Sequence, residues 1–176
     1  MAEEFERVES GIGGCVLHND IIVPYLYDLG TEEQRKRWIP KCITGEWSTA
    51  IAMTEPGTGS DLGNLQTRAV RDGDHYIING EKTFISNGLR AGLVIVACKT
   101  DPSAGHKGIS LIVVEEGTPG FIRGKKLEKI GQPAGDTSEL IFEDARVPAD
   151  NLLGEENKGF YYLMEKLQQE RLMCAI

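Results

Sequence analysis

Residues 93–97 read LVIVA and residues 109–114 read ISLIVV, and these two runs decide the fold of this 176-residue chain. Each run is short, rich in β-branched residues and apolar almost throughout, which is typical of a strand buried on both faces. Further short β-rich runs lie around them, at residues 49–53, 65–70, 75–78, 82–85, 120–126 and 139–142. So many short strands at this spacing favour a β-sandwich or a β-barrel between residues 48 and 148.

A hairpin turn is predicted within this β-rich region. Residues 71–74 read RDGD, a combination of residue types that tight turns prefer, and Gly73 can adopt a positive φ without steric cost. Residues on either side of this turn are therefore expected to pair as antiparallel strands.

Helical signals fill the region before residue 48. Thr31 and Gln34 have the spacing of a capping box, in which the hydroxyl accepts a backbone amide and the glutamine side chain reaches back to the cap. Acidic residues follow in the first turn and basic residues after them, which suits the helix dipole. Pro40 is expected to end this helix because proline has no backbone N–H to donate.

The pattern becomes helical again from residue 155 onward. An apolar stripe at i, i+3, i+4 and i+7 consists of Phe160, Leu163, Met164 and Leu167. Projected on a helix, Glu170 falls at the edge of this stripe and Arg171 near its middle. The chain is therefore predicted to be α+β, with a last helix that has no stop signal before residue 176.

Composition and charge exclude several classes of protein. The net charge of -8 argues against a nucleic-acid binder, which needs a basic surface. No apolar run reaches the roughly 20 residues of a membrane span, and the acidic N-terminus does not look like a targeting segment. The four cysteines form no CxxC pair and no histidine stands at metal-ligand spacing, so we expect reduced thiols in an intracellular protein and no metal. Bacterial cytoplasm and mitochondrial matrix both fit.

A polar loop at residues 54–61 (TEPGTGSD) directly follows a predicted strand. Its glycines allow a tight backbone turn that points successive N–H groups at an anion, and its hydroxyls add donors. The loop matches neither a P-loop nor a dinucleotide-binding GxGxxG motif. Two interpretations remain: a pyrophosphate site, or an ordinary turn.

Further candidates for binding or catalysis lie outside this loop. In residues 82–88 (KTFISNG), Phe84 and Ser86 could place an aromatic face and a hydroxyl beside a flat ring, or could be a core residue and a turn residue. Glu170 at the apolar face of the last helix is a competent base if burial raises its pKa. The alternative is an exposed glutamate or one paired with arginine. Among the histidines only His106 lies in a loop where it could meet a phosphate.

At these motifs the sequence closely resembles the acyl-CoA dehydrogenase family over essentially its whole length. The segments that carry the resemblance are residues 52–61 (AMTEPGTGSD), 76–82 (YIINGEK), 84–88 (FISNG), 142–148 (FEDARVP), 153–155 (LGE), 159–160 (GF) and 170–171 (ER). Each segment alone is moderately specific, but together and in this order they are very specific. The sequence around residues 168–171 (QQER) most resembles that of the long-chain and isovaleryl-CoA branch.

The resemblance implies a truncated member of a three-part fold. Residues 1–47 would be the end of an N-terminal helical domain, 48–150 a middle β-domain, and 151–176 the first helix of an incomplete C-terminal helical domain. Alone, this chain is expected to bind FAD weakly and to turn over poorly, or to be a non-catalytic module of the same fold. The full-length protein would be a homotetramer, because the absent helices build the oligomer of the family.

The resemblance also implies the residues that bind cofactor and substrate. The FAD contacts would be Ile51, Met53, Thr54, Gly59, Ser60, Phe84, Ile85 and Ser86, with Phe84 standing where many relatives carry tryptophan. The acyl-CoA contacts would be Ser60, His106, Lys107, Tyr161, Gln168, Gln169 and Arg171.

Glu170 would be the catalytic base of this implied enzyme. In the long-chain and isovaleryl-CoA branch, the base is the glutamate of a Glu-Arg pair in the first C-terminal helix. It would take the α-proton of an acyl-CoA while the β hydrogen leaves as hydride to FAD, which gives a trans-2-enoyl-CoA. Electron-transfer flavoprotein would accept the electrons, or oxygen would do so if the protein is an acyl-CoA oxidase.

Overall fold

The computed structural model describes residues 7, 13–132 and 134–173. The predicted acidic N-terminus, Cys174 and the end of the predicted last domain lie outside these residues. An N-terminal helical run comprises α1 (Gly13–Val16), one π-helical turn (Leu17–Ile22) and α2 (Val23–Leu29), and α3 (Glu32–Ile43) follows it. The capping box of α3 is confirmed: the Gln34 backbone N–H donates to Thr31 Oγ1 at 3.2 Å, and the Thr31 N–H donates to Gln34 Oε1 at 2.9 Å.

The prediction that Pro40 ends α3 is wrong. The helix continues to Ile43, and the Thr44 N–H still donates to the Pro40 carbonyl at 3.1 Å. Proline cannot donate to the carbonyl four residues before it, and its ring crowds that carbonyl. The last turn forms all the same, because Trp38 and Cys42 of this helix pack in the core. The helix thus extends far enough to place Cys42 in the core.

Among the described residues, eight strands form one sheet. They are β1 (Ser48–Ala52), β2 (Arg68–Asp72), β3 (His75–Ser86), β4 (Ala91–Lys99), β5 (Ile109–Glu115), β6 (Phe121–Lys126), β7 (Thr137–Pro148) and β8 (Leu152–Leu153). The hairpin turn is confirmed: Asp72 pairs with His75, and Gly73 between them has a φ of 58°. Two predicted strands, 75–78 and 82–85, are one long strand, which pairs with β7 through two register shifts.

The sheet folds over on itself to enclose a core. Its strand order is β6-β7-β3-β2-β4-β5-β8, with β1 parallel to β4, and a single pair, Arg68 with Lys99, joins β2 to β4. Alternate residues of β4 and β5 pack with residues of β3 and β7 in one apolar cluster: Val94, Val96, Ile112, Val114, Tyr76, Ile78 and Phe142. This is the face-to-face packing of a sandwich, and within the described residues no pairing of β6 with β8 closes it into a barrel.

A second core joins the other face of β4 to the helices. Leu93, Ile95 and Ala97 of β4 belong to a cluster with Tyr25 of α2 and with Leu163 of the last helix, α4 (Gly159–Met173). Because β4 is covered on both faces, every residue from 91 to 98 is buried. The prediction that the apolar run at residues 93–97 is a strand buried on both faces is confirmed.

Two further findings concern thiols and membranes. Cys42 and Cys98 are buried free thiols and burial raises their pKa to about 11 and about 12, while Cys15 is exposed and also free. Within the described ranges, no helix is both long and apolar enough to cross a membrane.

Candidate active site

A buried ion pair anchors the loop that follows β1. Lys82 of β3 is completely buried, and its Nζ donates to Glu55 Oε1 and to the Met53 carbonyl, both at 2.9 Å. The Glu55 carboxylate also accepts the backbone N–H groups of Gln66 and Thr67 at 2.5 and 2.9 Å. Burial alone would raise the pKa of Glu55, but these donors and the Lys82 charge hold it below the ordinary value. Both ends of the loop are thereby fixed to the sheet.

The loop itself makes a tight turn that leaves backbone exposed. Glu55 and Thr58 exchange two backbone hydrogen bonds, at 2.9 and 3.0 Å, across Pro56 and Gly57. Thr58 is buried, whereas Gly59 and Ser60 are exposed. A Cβ added at Gly57 or Gly59 would meet no atom within 4 Å, so an approaching group can come close to the backbone on this side.

The segment around Phe84 lies directly beside this loop. The Thr83 N–H donates to the Thr54 carbonyl at 2.9 Å, which joins β3 to the start of the loop. The predicted contacts Ile51, Met53 and Thr54 are half-buried along this junction, as is Ser86. The structure therefore brings together the two segments that the resemblance assigned to one ligand.

Phe84 has an unusual conformation. The register between β3 and β7 shifts between Lys82 and Ile85, and in this bulge Phe84 adopts a φ of 58° and leaves its side chain 66% exposed. A left-handed conformation is unfavourable for a bulky residue and is typical of functional sites. The alternative that Phe84 is a core residue is wrong, because its neighbour Ile85 fills the core instead.

Glu170 is buried where α4 packs against α2. Its side chain is only 8% exposed, and Oε1 accepts a hydrogen bond of 2.6 Å from the Tyr25 hydroxyl. Burial raises the pKa of Glu170 above its ordinary value, and the Tyr25 bond and the Lys166 charge offset part of this rise. A carboxyl group with a raised pKa is suited to proton abstraction near neutral pH.

Arg171 does not lie where the helix projection placed it. It is exposed, and among the described side chains of α4 the buried positions are Gly159, Leu163 and Glu170, with Phe160, Tyr162, Lys166 and Leu167 half-buried. The centre of the buried face is thus rotated toward Glu170, because α4 packs on α2 through both Glu170 and a Lys166–Asp28 ion pair. The predicted placement of Arg171 in the stripe is wrong, and the Glu170 carboxylate has Tyr25 as its hydrogen-bond donor.

Ser60 and His106, both predicted substrate contacts, line one cavity of about 220 Å³. Phe160 and Met164 of α4 line it too, and the His106 and Phe160 ring centroids are 4.9 Å apart. The other predicted substrate contacts do not line this cavity: Lys107, Tyr161, Gln168, Gln169 and Arg171 are exposed side chains.

Comparison with known proteins decides the family. A model described as "Acyl-CoA dehydrogenase, middle domain" matches residues 50–145, and one described as "Acyl-CoA dehydrogenase, N-terminal domain" matches residues 1–46. The chain belongs to the acyl-CoA dehydrogenase family. These matches confirm the resemblance that the sequence motifs indicate. Members of this family are FAD-dependent.

Individual members of this family are close to the chain in sequence. It is 55% identical over 164 residues to the rat mitochondrial long-chain specific acyl-CoA dehydrogenase, covering 92% of the chain and 38% of the relative. It is 44% identical over 176 residues to isovaleryl-CoA dehydrogenase of Pongo abelii, covering 98% and 42%. A crystal structure of acyl-CoA dehydrogenase from Geobacillus kaustophilus superposes with a TM-score of 0.94 at 66% identity, covering 97% and 46%. The chain thus spans less than half the length of these relatives.

Two features of this candidate site were not predicted from the sequence. The Glu55–Lys82 ion pair had a detectable signal, because Lys82 is in phase with the buried residues Tyr76 and Ile78 along β3 and so points inward. Tyr25 had none, because it lies 145 residues before its partner Glu170.

Proposed function

We propose that a full-length protein containing this chain is an FAD-dependent acyl-CoA dehydrogenase that converts an acyl-CoA thioester to a trans-2-enoyl-CoA. The observation that carries the proposal is the buried Glu170 carboxylate with its raised pKa. The similarity to a long-chain relative favours a medium- or long-chain fatty acyl-CoA as the substrate.

The described residues fit the flavin of FAD. An exposed aromatic side chain, Phe84, stands in a strained conformation beside the polar junction at Thr54, which suits the face and the polar edge of a flat ring. The exposed backbone at Gly59 and the hydroxyl of Ser60 suit the pyrophosphate. When bound, FAD supplies the acceptor for the β hydrogen, which leaves the substrate as hydride.

Glu170 has the properties that removal of an α-proton needs. An ordinary carboxylate is too weak a base for a carbon acid, and burial among apolar groups makes it stronger by destabilising its charge. The same exclusion of water strengthens hydrogen bonds to the thioester carbonyl, which acidify the α-proton.

The cavity formed by Ser60, His106, Phe160 and Met164 is where we place part of the acyl-CoA. Its apolar wall comes from α4, the helix that also carries Glu170, so the acyl chain and the base share one element. His106 and the exposed Lys107 next to it can donate to CoA phosphates. Tyr161, Gln168, Gln169 and Arg171 remain proposed contacts with the rest of the substrate.

The wider setting follows from the family. We infer electron-transfer flavoprotein as the electron acceptor, a homotetramer for the full-length protein, and the domain boundaries 1–47, 48–150 and 151–176. We propose the mitochondrial matrix as the compartment in a eukaryote and the cytoplasm in a prokaryote. The rat and Pongo abelii relatives, whose names include "mitochondrial", support the first of these.

Anaerobic bleaching of the FAD-loaded full-length protein by a panel of acyl-CoAs tests the proposed reaction. We expect medium or long straight chains to bleach the flavin and electron-transfer flavoprotein to restore its colour. No bleaching by any acyl-CoA would contradict the reaction. Recovery in air as fast as with electron-transfer flavoprotein would instead indicate an oxidase.

Changing Phe84 should separate cofactor binding from backbone strain. Phe84→Ala and Phe84→Gly should both weaken FAD binding about tenfold, because both remove the aromatic face. Glycine adopts the left-handed φ freely, so Phe84→Gly should be more stable than Phe84→Ala by about 1 kcal/mol. FAD titration of the full-length apoprotein and urea unfolding of the chain measure the two effects.

Val70→Ala is the control for both measurements, since Val70 is as exposed as Phe84 but lies on β2 away from the loop. It should change FAD affinity by less than twofold. Equal FAD affinities for Phe84→Ala, Val70→Ala and the parent would refute the assignment of Phe84 to the flavin.

A further inference from the structure

Among the described residues, the Tyr25 hydroxyl is the one group that donates a hydrogen bond to the Glu170 carboxylate. Its side chain is fully buried in the core shared by α2, α4 and β4, and its hydroxyl lies 2.6 Å from Glu170 Oε1. Burial, and then the neighbouring Glu170 carboxylate, raise the pKa of Tyr25 well above its ordinary value. The phenol therefore keeps its proton and acts as a donor at any working pH.

Docking of α4 onto α2 does not by itself require this hydrogen bond. Lys166 forms an ion pair with Asp28 one turn away on the same two helices, and Leu163 of α4 is completely buried in the core that it shares with α2 and β4. A phenylalanine at position 25 would fill the same apolar space. The hydroxyl thus has one identifiable partner, the carboxylate of Glu170.

We propose that Tyr25 is a positioning residue for Glu170: it holds Oε1 and leaves Oε2 to receive the α-proton of the substrate. The proposal rests on the function proposed above. A carboxylate on a flexible side chain can rotate away from the reacting carbon, and a short hydrogen bond to a rigid buried donor fixes its plane. The donor comes from the N-terminal helices, so these helices would contribute directly to the arrangement of the base.

The hydrogen bond also adjusts the basicity of Glu170. The titratable groups that bear on the carboxyl are the neutral Tyr25 hydroxyl from α2 and the Lys166 ammonium on α4, which also pairs with Asp28. Burial raises the pKa of Glu170, and the Tyr25 hydroxyl lowers it again by stabilising the ionised form. Without the hydroxyl the pKa must rise further, so Glu170 is ionised only at higher pH.

The test is the pH dependence of anaerobic flavin bleaching in the FAD-loaded full-length protein. Bleaching requires ionised Glu170, so its rate falls as pH decreases through the pKa of that group. In Tyr25→Phe we expect this fall to lie about one pH unit higher, which is a roughly tenfold loss of rate well below the transition.

Tyr76→Phe is the matched control. Tyr76 is an equally buried tyrosine whose hydroxyl donates to another carboxylate, Glu156 Oε1, at 2.9 Å. Removing the Tyr76 hydroxyl should leave the pH dependence of flavin bleaching unchanged. An unmoved profile in Tyr25→Phe, or equal shifts in the two variants, would overturn the proposal.

A second measurement covers the case in which Tyr25→Phe does not fold. Site-specific 3-fluorotyrosine at position 25 preserves the shape of the side chain and makes the phenol a stronger donor. The transition should then move to lower pH, opposite to the shift in Tyr25→Phe, and an unmoved transition would overturn the proposal. If Glu170→Gln bleached as fast as the parent, Glu170 would not be the base and the proposed function would fail. If only the Tyr25 proposal is wrong, Glu170→Gln still bleaches slowly while the Tyr25 variants show no shift.

Discussion

Replacing Glu170 with glutamine is expected to slow anaerobic flavin reduction by a long-chain acyl-CoA roughly thousandfold. Glutamine has nearly the same shape, and its carbonyl oxygen can still accept the hydrogen bond from Tyr25, so α4 should remain docked. What the variant loses is the ability to take a proton. Stopped-flow absorbance of the FAD-loaded full-length protein measures the rate.

Glu165→Gln is the control for this experiment. Glu165 lies on the same helix but is exposed, so the same chemical change there should alter the rate by less than twofold. A rate in Glu170→Gln equal to that in Glu165→Gln would mean that the base lies on another helix. The assignment of this chain to the long-chain and isovaleryl-CoA branch would then fail as well.

Replacing Lys82 with methionine is expected to destabilise the chain by about 3 to 5 kcal/mol. Methionine fills much of the same volume, but it leaves the buried Glu55 carboxylate with two backbone donors and no positive charge. Removing one partner of a buried ion pair is costly because the other charge stays in a poorly solvated place. Urea unfolding of the chain measures the change.

Two controls separate this effect from a general loss of lysine. Lys36→Met breaks an ion pair with Glu32 in which both side chains are 73% exposed, and it should cost less than about 0.5 kcal/mol. In the double variant Lys82→Met/Glu55→Gln neither charge is left alone, so it should be more stable than Lys82→Met. A double variant whose loss equals the sum of the two single losses would contradict the coupling.

Lys82→Met should also weaken FAD binding, because Lys82 fixes the loop after β1.

Much of the fold could be predicted from the sequence because its signals are local. The capping box of α3, the hairpin turn at Gly73 and the continuous apolar run of β4 each depend on residues that are neighbours in the chain. Such signals do not give lengths. Strand β3 was predicted as two pieces because Asn79 and Gly80 interrupt its apolar pattern, yet pairing with β7 carries the strand through that point.

The errors arise where tertiary packing overrides a local rule. Pro40 is tolerated inside α3 although it loses its own hydrogen bond and its ring crowds the preceding turn, because Trp38 and Cys42 on either side of it are buried in the core. The helical period, taken from Phe160, predicts Arg171 in the apolar stripe, but the contacts of α4 with α2 rotate the buried face toward Glu170. Neither outcome can be read from the helical period alone.

The candidate site was only partly predictable. The resemblance to the family implied that the loop at residues 54–61 and Phe84 belong to one site, and in the structure the hydrogen bond from the Thr83 N–H to the Thr54 carbonyl joins them. The left-handed conformation of Phe84 depends on a register shift against β7, which no local pattern reveals. The contact of Tyr25 with Glu170 likewise exists only after the first and last helices have met on β4.

The most direct test of Glu170 as the base is hydrogen exchange at the α carbon of a long-chain acyl-CoA that carries sulfur in place of its β carbon. This thioester has acidic α hydrogens but no β hydrogen to release as hydride, so its exchange in D₂O, followed by mass spectrometry, reports proton removal alone. We expect the full-length flavoprotein and Glu165→Gln to exchange at the same rate and Glu170→Gln to be slower roughly thousandfold. Exchange in Glu170→Gln at the rate of the parent would contradict the assignment of the base to this chain.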